Sequence, residues 1–193
     1  MIKTTTMILN EVDGYSCPAD KLTRMVQKCE YIPIVRGLYE TDKSTPGYLL
    51  AGSVYGPSYL SFEFALGYYG LIPEAVYNFT SATIGKKKKK RYETPFGIFT
   101  YRDVPDKVYS YGIRIVQEGE YSFAIASAEK AICDQLYKTS PVANYKELEQ
   151  LLFENLRIDE EDFVALNSDD ILFIADKYHS TNVKKLCGLM GRK

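Results

Sequence analysis

The chain has 193 residues, 46% of them hydrophobic and 25% charged, with a net charge of -1; such a chain is long enough for one good core or for a main domain plus a small one. No apolar run approaches the roughly 18 to 20 residues that a membrane helix needs, and residues 1–17 carry Glu11 and Asp13 without a signal-peptide h-region, so a cytoplasmic protein is expected. Residues 1–43 hold six basic and six acidic side chains, residues 44–115 nine and five, and residues 116–193 nine and fourteen. A basic middle and an acidic end suit a polyanion on one side and a basic partner on another, and also occur in an unspecialised protein.

In chain order, residues 4–12 read as a helix ended by Asp13-Gly14, and Pro18 opens a second helix reaching residue 29. On the second, Leu22, Met25, Val26 and Cys29 form the apolar stripe, while Lys21, Arg24 and Lys28 line another face. Residues 31–35 and 38–41 have strand character on either side of an Arg36-Gly37 turn. A helix, a basic helix and a hairpin tipped by Arg36 follow the order of a winged-helix module. Its second helix would offer Lys21, Arg24 and Lys28 to phosphates or base edges, and its wing would offer Arg36 to the backbone or minor groove. The plainer reading is a small helical cap with solvated charges, because the segment has no excess of Lys and Arg.

Thr45-Pro46 opens a helix that Gly56-Pro57 stops, and a second short helix over 62–69 follows after a tight connection. Ser61 is its expected N-cap, with the hydroxyl accepting from a first-turn amide, and Glu63 suits the helix dipole. Phe62, Ala65, Leu66 and Tyr69 make its apolar stripe; Gly70 suits the left-handed position after the helix, and Leu71 would touch Leu66. Strands are expected over 76–84, over 98–104 after the Pro95-Phe96-Gly97 turn, and over 112–117 and 120–126 around Glu118-Gly119. An antiparallel meander is the simplest topology. Within it lie Lys86-Lys87-Lys88-Lys89-Lys90-Arg91, which fit either a nucleic-acid contact through Lys87, Lys89 and Arg91 or a solvated edge whose charges oppose strand pairing.

From Ser127 the chain is helical. Ser127 caps a helix over 128–138, Asn144 and Glu147 form a capping box ahead of Leu148, Leu151 and Leu152, and Asp159 caps the next helix with Ile158 and Phe163 spaced as a hydrophobic staple. Ser168 and Thr181 would cap two more. The expected fold class is α+β: a short, truncated winged-helix module over 1–42, then a body over 43–193 with helices at 43–75, antiparallel strands at 76–126 and helices at 127–193.

Enzyme signatures are sparse. The chain has no phosphate loop, dinucleotide fingerprint, Gly-x-Ser-x-Gly or HExxH motif. His179, its one histidine, sits in a polar link where exposure is expected. Glu129, Lys130 and Asp134 share a helix, but adjacent Glu129-Lys130 breaks the Glu-x-Lys spacing of a metal-dependent nuclease, so Glu129 reads as a first-turn helix charge. The acidic run Asp159-Glu160-Glu161-Asp162 is mostly helix-start chemistry and secondarily a surface for a basic partner. Cys17, Cys29, Cys133 and Cys187 fit no metal-ligand spacing, and Cys29 and Cys133 read as buried reduced thiols. No catalytic residue, metal site or cofactor is expected.

Several blocks in one order resemble the AbiEi family of antitoxins: Lys21-Leu22-Thr23-Arg24-Met25-Val26, Val35-Arg36-Gly37-Leu38-Tyr39, Tyr55-Gly56-Pro57-Ser58-Tyr59-Leu60-Ser61, Ala65-Leu66, Gly70-Leu71-Ile72-Pro73-Glu74, Thr94-Pro95-Phe96-Gly97-Ile98-Phe99 and Ala126-Ser127-Ala128-Glu129-Lys130-Ala131. The resemblance spans residues 21–137. It implies a bacterial abortive-infection (type IV) toxin-antitoxin system, in which a winged-helix domain represses the operon's own promoter and the rest of the chain neutralises a nucleotidyltransferase-like toxin. Carried over, Lys21, Arg24 and Lys28 would be the recognition-helix cations and Arg36 the wing cation. This chain departs from the pattern in having two helices before the wing rather than three, and in Ala128 where the family more often has proline. An interaction protein that antagonises the toxin without binding DNA is the alternative; an enzymatic reading rests only on sites assembled from residues distant in sequence.

Overall fold

The computed structural model describes residues 1–73 and 77–191, so Glu74 and the expected strand start at Val76 lie outside the described residues. The fold is mixed α+β. Its N-terminal part is built from β1 (Ile2–Thr4), α1 (Thr5–Glu11), α2 (Pro18–Gln27), β2 (Ile32–Val35) and β3 (Leu38–Glu40), whose strands form a sheet in the order β1-β3-β2. Strand β1 is not legible in the sequence. Its three residues have no periodicity of their own and become a strand by pairing with β3, Ile2 opposite Glu40 and Thr4 opposite Leu38. Thr4 then caps α1, its hydroxyl accepting from the Met7 amide at 3.3 Å.

Helix α2 begins with Pro18 at its first turn and ends earlier than expected. Cys29 adopts φ +58°, its amide donates to Val26 O at 3.0 Å, and the Glu30 amide donates to Met25 O at 3.0 Å. These two bonds form a Schellman ending, which turns Cys29 out of the apolar stripe and leaves it exposed rather than buried. Leu22 keeps its place in a small cluster with Ile8 and Tyr31, while Ile34 on the hairpin joins the main core.

In the body a 3-10 turn (Gly47–Leu50) runs into α3 (Ala51–Val54), followed by β4 (Ser58–Leu60), α4 (Phe62–Tyr68), β5 (Asn78–Thr83), β6 (Lys90–Thr94), β7 (Gly97–Asp103), α5 (Asp106–Tyr109), β8 (Ile113–Glu118) and β9 (Tyr121–Ala126). These six strands form one sheet in the order β6-β7-β5-β4-β9-β8. The expected meander is corrected to a mixed sheet: β5 runs parallel to β7 and β4 parallel to β9. The causes are two strands beyond those expected: β6, which takes the outer side of β7 and so leaves β5 and β7 parallel, and β4, which reads in the sequence as mere connection between two helices. Its Tyr59 and Leu60 are buried, and the strand inserts between β5 and β9 at the middle of the sheet.

The helical third comprises α6 (Ala128–Lys138), α7 (Tyr145–Glu149), α8 (Glu160–Ala165), α9 (Ser168–Ala175) and α10 (Thr181–Met190), with a π-helical turn (Gln150–Asn155) continuing α7. Ser127, Asn144 and Asp159 cap as expected, through bonds to the amides of Lys130, Glu147 and Glu161. The last two caps move back one residue. Asn167, not Ser168, accepts from the Asp169 and Asp170 amides, and Ser180, not Thr181, accepts from that of Val183, because each has the extended backbone that an N-cap needs. After α4, Gly70 takes φ +75° and the Leu71 amide donates to Leu66 O at 2.9 Å, which is the Schellman ending expected there.

Candidate functional site

Helix α2 presents its polar face to solvent because Leu22, Met25 and Val26 occupy the opposite side against Ile8 and Tyr31. Lys21, Arg24 and Lys28 therefore line one surface groove of about 280 Å³, together with Tyr15, Asp20 and Glu30. The ammonium of Lys21 lies 4.6 Å from the centre of the Tyr15 ring, which steadies it over the groove. Asp20 and Glu30 carry no signal in the sequence, and they dilute the positive charge. Arg36 is exposed at the turn between β2 and β3 and does not line this groove.

The lysine run leads into β6, an outer strand of the six-stranded sheet. Lys87 takes φ +55° and its amide donates to the Asp103 carboxylate, which ties the loop back to β7. Lys87, Lys88, Lys89 and Lys90 are exposed, whereas Arg91 is held by Glu93 at 2.9 Å on the surface. The Lys86 ammonium sits 5.1 Å from the Tyr55 ring centre, and Tyr92 turns its ring inward, 6.0 Å from Tyr55 and 6.0 Å from Tyr101. No aromatic of β6 is thus free to stack on a base. Strand β2 packs beside β6, which brings the N-terminal hairpin next to the cationic edge.

A second constellation lies inside the protein, and sequence reasoning misses it. Lys130 and Asp134, one turn apart on α6, are both fully buried, with Nζ 3.0 Å from Oδ1. Tyr178, just after α9, accepts from Lys130 Nζ at 2.6 Å and donates to Asp134 Oδ1. Strand β4 and the residue after it close the other side, Tyr59 and Ser61 donating to Oδ2 at 2.9 and 2.8 Å. This corrects the expected role of Ser61, whose hydroxyl serves Asp134 and makes no cap bond to α4. Burial pulls the Lys130 ammonium below its ordinary value while Asp134 opposes that shift. Burial, followed by the Asp134 charge, holds the Tyr59 and Tyr178 phenols well above theirs. Tyr59 and Tyr178 are each 2% exposed and Ser61, Lys130 and Asp134 0%, so the cluster is closed to solvent and its bonds tie β4, α6 and the turn after α9 together.

The one available spacing signal is the i,i+4 pair Lys130 and Asp134, in a helix whose other inward residues are mostly apolar. Glu129 accepts from the Asn167 amide at 3.2 Å and takes no part in the buried cluster. Cys133 is buried, and burial pushes its thiol up. His179 is exposed. Among the described residues, no group of three or more His, Cys, Asp or Glu is placed to hold a metal ion, and no helix is long and apolar enough to cross a membrane. No protein-family model matches the chain and no curated protein matches it.

Proposed function

We propose that the chain is a non-catalytic antitoxin of the AbiEi type, which binds the promoter DNA of its own operon as an autorepressor and neutralises a nucleotidyltransferase-like toxin in the cytoplasm. One observation carries the DNA-binding half. The order β1-α1-α2-β2-β3, with β3 between β1 and β2, suits the strand arrangement of a winged helix, in which α2, with Lys21, Arg24 and Lys28 on one groove, would be the recognition helix. Arg36, exposed at the turn between β2 and β3, would then be the wing cation. A helix of ten residues is about 15 Å long, enough to lie in a major groove. Exposed Lys87 and Lys89, on the edge beside β2, would extend phosphate contact from the wing side.

The test is a gel-shift titration with the chain's own upstream DNA at several salt concentrations. Binding should weaken steeply with salt and should drop in the K21A/R24A double variant. Absent or salt-insensitive binding sinks the repressor reading.

Asp20 and Glu30 in the same groove favour a second reading, in which the chain antagonises its toxin without contacting DNA. Removing residues 1–41 would not separate the two, because Ile34 belongs to the main core and Tyr121 of β9 donates to the buried Glu40 carboxylate at 2.9 Å. Co-expression of the K21A/R24A variant with the neighbouring toxin does separate them. Retained rescue with lost promoter binding assigns antitoxicity to the body, whereas loss of both puts the toxin contact on α2.

A further inference from the structure

The two outer strands of the six-stranded sheet are built differently. Strand β6 carries Lys90 and Arg91 and follows four further lysines, a composition that repels a second strand. Strand β8 reads Ile-Arg-Ile-Val-Gln-Glu, with no lysine or proline, and exposes Ile115 to 72%. An open, β-branched edge of six residues presents a row of unpaired backbone groups.

The direction of those groups follows from the β8–β9 hairpin. Glu118 pairs with Tyr121 across a two-residue turn, and at the far end the Ser127 amide donates to Gly112 O at 2.7 Å. The backbone groups of the even-numbered residues 112, 114, 116 and 118 therefore bond to β9, because bonded and non-bonded pairs alternate along an antiparallel ladder. Those of Ile113, Ile115 and Gln117 point outward.

We infer that β8 is a self-association edge, on which a second copy of this chain pairs its own β8 antiparallel about a two-fold axis at Val116. That register sets Ile115 opposite Gln117 of the second copy, joining outward-facing backbone to outward-facing backbone. It also sets Arg114 opposite Glu118 twice, in the non-bonded pairs where opposed Cα atoms come within about 4.5 Å. Of the registers that the backbone allows, this one alone places the strand's single cation against its single anion. Glu118 is already oriented, since Tyr48 donates to its Oε1 at 2.7 Å, and Arg114 has no ion pair among the described residues. Val116, partly buried, meets its own symmetry copy between the two ion pairs, and the exposed Ile115 is covered. Such an isologous contact is small, so the equilibrium is concentration-dependent rather than obligate.

Sedimentation velocity of the full chain over a concentration series tests this. The wild-type chain should pass from monomer to dimer, and R114E, E118R and I115K should each weaken the dimer about tenfold or more, as two favourable cross-strand pairs are reversed or a cation is forced onto the edge. Arg114 and Ile115 are exposed and make no hydrogen bond or ion pair through their side chains among the described residues, so R114E and I115K should keep the wild-type melting temperature, while E118R loses the Tyr48 bond and is compared with a Y48F control. An equimolar mixture of R114E and E118R chains should recover the dimer, because the carboxylate introduced at position 114 of one chain then faces the guanidinium introduced at position 118 of the other. A wild-type chain that stays monomeric, a dimer indifferent to all three substitutions, or a mixture no better than its components overturns the inference; pairing of β8 with another protein's strand would give the first of these results.

Discussion

Lys130 and Asp134 form an ion pair at 3.0 Å with both side chains fully buried, and the hydroxyls of Tyr59, Ser61 and Tyr178 complete the shell around the carboxylate. A buried pair of this kind is poor evidence for stability in itself, since desolvation offsets much of the attraction. What it does enforce is arrangement. Strand β4 reaches Asp134 only if Tyr59 and Ser61 both point at α6, and a one-residue slip would turn Tyr59 to the other face of the sheet.

Asp134→Ala should destabilise the chain by about 3 to 5 kcal/mol, because it leaves a buried ammonium without its counter-ion and the Tyr59 and Ser61 hydroxyls without their acceptor. Lys130→Met should cost less, as the carboxylate keeps Tyr59, Ser61 and Tyr178 as donors. Urea denaturation of the two variants and of the double variant measures this, with a coupling of about 1 to 3 kcal/mol expected. Additive effects would show that the two residues do not act as a unit.

High pH should unfold the protein cooperatively. Burial holds the phenols of Tyr59, Tyr101 and Tyr178 above their ordinary value of 10.0. A raised value means that their stabilisation is complete below pH 10.0 and is lost as the pH climbs from there toward the folded-state values. The lowered Lys130 value acts in the opposite sense, adding stability as the pH rises toward 10.5, but it is one group against three. Phenolate absorbance should lag behind that of free tyrosine and then rise together with the loss of helical circular dichroism. A smooth titration of every tyrosine near its ordinary value with the fold intact would count against the buried network.

Two glycines should fail for different reasons. A methyl group on Gly47 would lie 2.2 Å from Phe79 Cε2 and 2.3 Å from the Phe96 carbonyl oxygen, and the latter belongs to the backbone and cannot swing aside. Gly47→Ala should cost about 3 kcal/mol. Around Gly70 a Cβ meets nothing within 4 Å, so Gly70→Ala carries only the cost of φ +75°, about 1 to 2 kcal/mol. Gly70→Asn should be milder than Gly70→Ala, since asparagine tolerates the left-handed region, while Gly47→Asn should be worse than Gly47→Ala. Thermal melts of the four variants distinguish the two mechanisms.

If the α2 groove meets phosphates, K21A/R24A should lower the slope of log affinity against log salt by about 0.9 for each phosphate contact removed. K87A/K89A should lower it further, whereas R91A should change little because Glu93 already holds that guanidinium. Equal effects from R91A and K87A would indicate a diffuse electrostatic attraction without a defined surface.

Short-range signals along the chain were sufficient for the caps at Ser127, Asn144 and Asp159, the Schellman ending at Gly70, the hairpin around Arg36 and the shared face of Lys21, Arg24 and Lys28. Each depends on neighbours within a few residues, so spacing alone specifies it. Tertiary structure alone decided the strands β1 and β4, the parallel pairings in the sheet, and the burial of Lys130 with Asp134. Three residues of extended chain have no periodicity to read, and they become strands only when distant partners supply the hydrogen bonds, as β3 does for β1, and β5 and β9 do for β4. A charge within a helix becomes a core residue only when distant hydroxyls arrive to solvate it, as those of Tyr59, Ser61 and Tyr178 do around Lys130 and Asp134.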